Sequence, residues 1–382
     1  MMALIYILLV LSILLNLLFL IFDVIPYLVP DFKRKFRKYK SEKIDIVDIE
    51  KKILDVSLEI IKKKKSIMTW HPSNLYLSFQ SRFRGRVSTE FKNYNYPRAY
   101  LMYGISDYLI KTKNEVKLAE LKRYFDKYYI SDNGQPRFII NKVDQAVFGI
   151  VAINLYSVYK EDKYRTFVSI IFEFISINYS KNKIVLYREN TINELNDTIG
   201  MIVPFLVRYY EFLKNPLALK IARNQLTFFI EYGTDMNTYL PSHGINRKNG
   251  IKIGSNNWGR GIGWFFIGLK DFYEISGEFE EQYLGLCNTV LQLKNNEGLW
   301  GQFPGSDDTF DASSSTLIIY SLPPEEYNMY KVLNLLSKYI SKEGFILQTS
   351  GDTERPNSYS KVFGKSELSQ GILLLILGKY KN

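Results

Sequence analysis

Asp144-Gln145-Ala146-Val147-Phe148-Gly149-Ile150-Val151-Ala152-Ile153-Asn154-Leu155-Tyr156-Ser157-Val158 is the stretch that decides the fold class. Val147-Phe148, Val151-Ala152, Leu155 and Val158 recur three to four residues apart, the spacing of one apolar helix face. The same period runs through Ile46-Val47, Ile53-Leu54, Leu58 and Ile60-Ile61, and again through Phe167, Ile170-Ile171 and Phe174-Ile175. Leu213 to Tyr232 continues it, with Asn215-Pro216 opening a helix and Gly233 closing it. Trp264 to Ile275, ended by Gly277, behaves alike. Strand-like alternation is scarce; Arg137 to Ile140 and Lys183 to Tyr187 are expected to be short extended pieces. At about 25 to 30 residues per helix and loop, the body holds about a dozen helices. A dozen helices can close as two concentric rings. Stacked helical repeats are the alternative, but no ~34- or ~40-residue self-similarity is visible. No Gly/Ser linker divides the body, so residues 46–382 are expected to form one all-α domain.

Met1 to Phe22 is apolar apart from Ser12 and Asn16. As a helix rising ~1.5 Å per residue, it covers the ~30 Å hydrocarbon core of a bilayer. No Lys or Arg precedes the run, and Phe22-Asp23-Val24-Ile25-Pro26 is a poor cleavage site. Residues 1–29 are therefore expected to be an uncleaved single-pass anchor. Lys33, Arg34, Lys35, Arg37, Lys38 and Lys40 make 30–45 a basic linker that meets anionic lipid headgroups. By the positive-inside tendency, that cluster favours a cytoplasmic domain.

The composition is globular, with 46% hydrophobic and 23% charged residues over 382 positions. One cysteine, Cys287, excludes an intramolecular disulfide and a Cys-based zinc site. Two histidines, His71 and His243, are too few for a His-rich metal centre. Neither metal nor cofactor is expected. A net charge of +11 suggests an anionic partner, and 29 Tyr with 25 Phe suit carbohydrate; no nucleic-acid partner is expected.

Several polar clusters fall in breaks between the helical segments. Asp144 opens the run Val147 to Leu155 and can serve as a helix cap, a pocket carboxylate, or both. Asn193-Glu194-Leu195-Asn196-Asp197-Thr198 leads into Ile199 to Leu206. A carboxyl there lies beside apolar neighbours, which raise its pKa and suit it to act as a general acid. Glu194 is expected to be a solvated surface charge. Ser242-His243-Gly244 is followed by Trp258-Gly259-Arg260-Gly261-Ile262-Gly263-Trp264, expected to be a tight loop. Arg260 offers a fork for a carboxylate, and Trp258 and Trp264 offer faces for a sugar ring. Gly298-Leu299-Trp300 and Asp311-Ala312-Ser313-Ser314-Ser315-Thr316 supply small residues through which two helices can pack closely.

Taken in order, Val143-Asp144-Gln145, Asn196-Asp197-Thr198-Ile199-Gly200-Met201, Ser242-His243-Gly244, the Trp258–Trp264 segment, Gly298-Leu299-Trp300 and Asp311–Ser315 resemble the unsaturated glucuronyl and rhamnogalacturonyl hydrolases, glycoside hydrolase families 88 and 105. The resemblance covers about residues 50 to 382. It departs at Ile262, where many relatives carry Asn, and at Val143, where glucuronyl hydrolases tend to have histidine. It implies an (α/α)6 barrel and a metal-independent enzyme that removes a 4,5-unsaturated uronic acid from the non-reducing end of oligosaccharides by hydrating its vinyl ether. On that resemblance, Asp197 protonates C4 and activates the water that adds at C5. Asp144 holds ring hydroxyls and assists proton positioning, His243 and Arg260 bind the uronate region, and Trp264 stacks on the sugar. A membrane-tethered glycan-binding protein that keeps the pocket without turnover is the alternative. An α/α-toroid epimerase would use paired histidines, which two histidines in the whole chain hardly provide.

Overall fold

The structure is a computed structural model that describes residues 2–25, 46–62, 93–188, 191–306, 309–353, 355–360 and 363–381. The basic linker expected over 30–45, and His71, lie outside the described residues. Helix α1 (Met2–Phe19) has 18 residues, none of them buried. It is long and apolar enough to cross a membrane, a test that a signal sequence near an N-terminus also passes.

Twelve further helices are described: α2 (Ile46–Lys62), α3 (Tyr96–Lys111), α4 (Glu115–Tyr128), α5 (Val147–Tyr159), α6 (Asp162–Asn182), α7 (Asp197–Leu213), α8 (Pro216–Gly233), α9 (Gly259–Ser276), α10 (Glu280–Gln292), α11 (Ala312–Ser321), α12 (Met329–Leu336) and α13 (Glu367–Lys379). The odd-numbered members from α3 to α13 contact one another in sequence, and α13 returns to α3, closing an inner ring of six. The even-numbered helices pack outside, giving the expected (α/α)6 barrel. Burial explains which helix goes where. All ten residues of α11 are buried, as is every residue of α9 from Gly259 to Phe272, whereas α4 buries only Leu118, Leu121 and Phe125. A helix apolar or small all round must sit inside, and one with a single apolar stripe sits outside.

The ring closes where α3 crosses α13. A Cβ on Gly104 would overlap the Gly371 carbonyl, and one on Gly371 would overlap that of Tyr100, so the two backbones touch. Beside the crossing, buried Arg98 donates to buried Glu367 through Nε at 2.8 Å and Nη2 at 3.0 Å. Two matched forks favour each other strongly when both are desolvated.

Local signals place most helix ends. Asn215 caps α8 by accepting from the Leu217 amide at 3.0 Å, with Pro216 in the first turn. Gly277 ends α9 with φ 71°. The Trp258–Trp264 segment is not a loop. Residues from Gly259 on form the first turns of α9, and none of its glycines has a positive φ. Their function is close packing. A Cβ on Gly263 would lie 2.5 Å from Leu317 of α11, and one on Gly259 would overlap Ser314, whose small side chain lets α9 and α11 approach.

The two extended pieces expected at 137–140 and 183–187 are not strands, because their amides bond elsewhere. Val185 donates to the Gln225 side chain at 2.8 Å, Leu186 to that of Asn178 at 3.1 Å, and Arg137 to the Tyr129 carbonyl at 3.0 Å. The strands that do form are short. β1 (Asn193–Leu195), β2 (Gly244–Asn246) and β3 (Lys252–Ile253) make an antiparallel sheet in the order β1-β2-β3, with Glu194 opposite Ile245. β4 (Thr349–Ser350) pairs with β5 (Phe363–Gly364). These strands lie in the connections that enter α7, α9 and α13, at one end of the barrel.

Glu194 is not a solvated charge. It is fully buried in β1, where Oε1 accepts from Gln225 Nε2 of α8 at 3.0 Å, and burial pushes its carboxyl up to about 8.

Two outcomes follow from this packing. Gly104→Ala forces the α3–α13 crossing apart and costs about 1–3 kcal/mol by overpacking; thermal unfolding should show a lowered midpoint, and an unchanged one would mean the crossing is loose. Between the ordinary 4.5 of its carboxyl and about 8, Glu194 keeps a proton in the folded chain that the unfolded chain has released, so stability falls as pH rises through that window. Glu194→Gln should flatten that fall, read as denaturant midpoints at pH 5 and pH 8.

Candidate active site

The inner helices all begin at the end of the barrel where the short strands lie, and the polar clusters ride on those beginnings. Asp197 is the first residue of α7. Its position is fixed from behind by Asn196, whose amide donates to the His243 carbonyl at 3.0 Å and whose Nδ2 donates to the Ser242 carbonyl at 3.1 Å. Those bonds bring His243, at the entry to β2, against the carboxylate. His243 Nε2 lies 3.4 Å from Asp197 Oδ2, and Nδ1 lies 3.3 Å from the Tyr359 hydroxyl. The Trp258 ring backs the imidazole at 4.2 Å between centroids, tilted 33°. With 2% exposure, Trp258 orients His243 and presents no open face to a ligand.

Asp144 sits in a 3-10 turn (Val143–Gln145) that leads into α5. It does not cap that helix. The cap position is Ala146, and the turn is braced by Gln145, whose Oε1 accepts from the Asn141 amide at 2.9 Å and the Lys142 amide at 3.2 Å. Asp144 is 5% exposed, and burial raises its carboxyl to about 6 against the bond donated by the Tyr187 hydroxyl; the negative charge of Asp197 adds to the rise. Burial also lifts the Tyr187 hydroxyl well above its usual range, so it remains a donor. Asp197 is the open member of the pair, its side chain 16% exposed.

Arg260, on the first turn of α9, is brought close enough to Asp197 for their charges to interact, but its fork is already filled. Nε donates to Ser313 Oγ at 3.0 Å and Nη1 to Asp352 Oδ1 at 2.7 Å, while Nη2 reaches the Ser350 carbonyl and its Oγ. Tyr96 donates its hydroxyl to the same Asp352 oxygen. The expected contact between this guanidinium and a ligand carboxylate is therefore replaced by an internal one: Arg260 fastens the 350–352 segment to α9 and α11. Trp264 likewise differs from expectation. It is 1% exposed and wedged between Tyr96 at 5.7 Å, Tyr100 at 5.3 Å and Gly200, where a Cβ would lie 2.6 Å from the indole. It is a wall of the barrel, with no face free for a sugar.

Asp197 and His243 line a pocket of ≈ 240 Å³, with Tyr187, Arg188, Thr191 and Arg355 among its other walls. Asp144, Asp197, His243, Trp258 and Arg260 thus converge on one end of the barrel. Tyr187, Tyr96, Asp352 and Tyr359 join them without any sequence motif to announce it, since their partners lie tens to hundreds of residues away. Among the described residues no three His, Cys, Asp or Glu side chains are grouped to hold a metal ion. The chemistry on offer is proton transfer: an accessible carboxyl, a second carboxyl half-protonated near pH 6, and a hydroxyl that organises it.

Several solved structures share this fold. A possible member of the GH105 family from Klebsiella pneumoniae subsp. pneumoniae MGH 78578 is 16% identical with a TM-score of 0.69, covering 91% of this chain and 96% of its own. A glycoside hydrolase from family 105 of C. acetobutylicum ATCC 824 is 17% identical with a TM-score of 0.62, covering 75% and 93%. A glycosyl hydrolase family 88 protein from Bacteroides vulgatus is 16% identical with a TM-score of 0.56, covering 86% and 99%. No curated protein matches the chain by sequence. The model of Glycosyl Hydrolase Family 88 matches residues 74–375, most of the chain, so the chain belongs to that family and is a glycoside hydrolase.

Proposed function

We propose that the enzyme removes a 4,5-unsaturated uronic acid from the non-reducing end of an acidic oligosaccharide by adding water across the C4=C5 vinyl ether. The observation that carries this is the asymmetry of the carboxyl pair. Asp197 is the one carboxylate lining the pocket among the described residues, while Asp144 lies behind it at 5% exposure. Two carboxylates flanking a scissile bond serve ordinary glycosidic displacement. One accessible carboxyl serves a reaction in which the same group gives a proton and then takes one.

In that reaction Asp197 delivers its proton to C4, and positive charge develops across C5 and the ring oxygen. Water adds its oxygen to C5 and returns a proton to the Asp197 carboxylate. The C5 hemiketal then opens at the ring oxygen, and the resulting C1 hemiacetal releases the neighbouring sugar. Asp144, with Tyr187 donating to it, stands behind Asp197 and keeps negative charge beside it in check. His243, held by Trp258 and Tyr359, orients the Asp197 carboxyl. In this reading helix α1 tethers the domain as a single-pass anchor, and the basic charge of the sequence at 33–40 favours the cytoplasmic side and suits anionic lipid.

Asp197→Asn should lower turnover of lyase-generated unsaturated disaccharides by about 10²–10⁴-fold, the usual contribution of a general acid–base group. The readout is loss of the C4=C5 absorbance. A native chain as inert as the Asp197→Asn variant, with both still binding these sugars, would favour a glycan-binding protein instead. In cells, the chain should resist alkaline extraction from membranes, and its body should be cleaved by added protease only after the membrane is opened; release by alkali would refute the anchor, and cleavage in intact cells the cytoplasmic placement.

A further inference from the structure

Resting on Asp197 as the proton donor of the reaction above, we infer that Tyr359 is a positioning residue whose hydroxyl fixes the tautomer of His243. Nδ1 of the imidazole accepts, the ring proton sits on Nε2 against Asp197 Oδ2, and the carboxyl proton to be transferred is left on Oδ1.

The Tyr359 hydroxyl has two partners among the described residues, the Ser255 amide at 2.8 Å and His243 Nδ1 at 3.3 Å. A backbone N–H can only donate, so the phenol oxygen accepts from Ser255. Its single proton is left for the imidazole, and a ring nitrogen that accepts carries no proton of its own. Burial raises the Tyr359 hydroxyl above its usual range, so it keeps the proton it donates. The proton of neutral His243 then lies on Nε2, which faces Asp197 Oδ2 at 3.4 Å. The opposite tautomer leaves the Tyr359 proton without an acceptor among the described residues, and its bare Nε2 draws the carboxyl proton onto the imidazole.

The surroundings are shaped for this contact. Gly254, with φ 77°, follows β3, and a Cβ there would lie 2.5 Å from His243 Cβ and 2.9 Å from the Tyr359 hydroxyl. Only a bare residue lets the Ser255 amide reach the phenol while the imidazole stands alongside. Trp258 at 5.6 Å and Phe303 at 5.1 Å between centroids hold the Tyr359 ring from two sides. Asp197 Oδ2 is buried and has no hydrogen-bond partner among the described residues, so the open oxygen of this pocket carboxyl is Oδ1. An N–H aimed at Oδ2 reserves that oxygen, leaves the proton on Oδ1, and supports the carboxylate that remains once C4 has taken it.

NMR of the full chain in detergent, isotope-labelled at its histidine nitrogens, reads the tautomer directly. The chain has two histidines, and the His243→Gln variant identifies which signals belong to His243. At neutral pH the native ring should carry a proton on Nε2 and none on Nδ1. Tyr359→Phe keeps the ring contacts and removes the hydroxyl, so its His243 should show protonation at Nδ1. Its kcat on unsaturated disaccharides should fall at least about tenfold with KM changed less than about twofold, the split of a residue acting on the proton donor rather than on binding. A native ring protonated on Nδ1, a Tyr359→Phe ring with the native pattern, or a Tyr359→Phe enzyme with native kcat overturns the inference. The expected NMR patterns, with no turnover of any unsaturated disaccharide by the native chain, keep the tautomer and overturn the hydrolase reading.

Discussion

The whole molecule depends on two backbones touching. Gly104 of α3 and Gly371 of α13 remove the side chains that would hold the first and last inner helices apart, and without that contact the inner ring is an open arc. The Arg98–Glu367 pair fixes the rotation of one helix against the other at the same seam. Such a pair is expensive to bury and gains its value from completeness. With either partner removed, the other would remain as an uncompensated charge, a loss of about 3–5 kcal/mol. Closure by glycine and closure by charge are thus complementary: one sets the distance, the other the register.

Closure has a consequence for chemistry because the inner helices alternate with outer ones. Each outer helix carries the chain back, so each inner helix starts at the same end, and six helix beginnings face a common mouth. Asp197 opens α7, Arg260 stands in the first turn of α9, Asp311 caps α11 by accepting from the Ser313 amide at 2.7 Å, and Tyr96 opens α3. Helix N-termini carry partial positive charge from unsatisfied amides, which favours anionic groups and an acidic ligand there. Burial works against the same charges. Asp144, enclosed in the turn before α5, is lifted to about 6 by desolvation, whereas Asp197, at the open start of its helix, remains in reach of solvent and of His243. One fold element, the helix beginning, therefore yields two carboxyls in different surroundings according to depth.

Much of this was legible in the sequence because it depends on local pattern. The 3.6-residue period exposed the helices, Asn215-Pro216 and Gly277 marked two of their ends, and the ordered polar breaks named Asp144, Asp197 and His243. What stayed hidden depends on distant partners. Glu194 looks like a surface charge until α8 brings Gln225 to it. The glycines around Arg260 look like a loop because glycine disfavours helix interiors, yet here the need for α9 to approach α11 outweighs that preference. Trp264 looks like a sugar platform in isolation; the bare Gly200 backbone opposite it makes it part of the wall.

Arg260 shows why residue type alone could not assign its partner. Arg188 and Arg355 line the pocket while Arg260 is buried beside it, and what sets Arg260 apart is the 350–352 segment. By offering Asp352, Ser350 and two carbonyls, that segment satisfies Arg260 completely and desolvates it at 3% exposure. A cation so satisfied has nothing left to gain from a ligand, and drawing it toward one would strand the Asp352 carboxylate. Its value is mechanical: it ties the segment that continues into Thr353 and Arg355 to the start of α9, a rigid inner helix. The buried arginine thereby fastens residues 350–352, the stretch next to Thr353 in the pocket wall, to the inner ring.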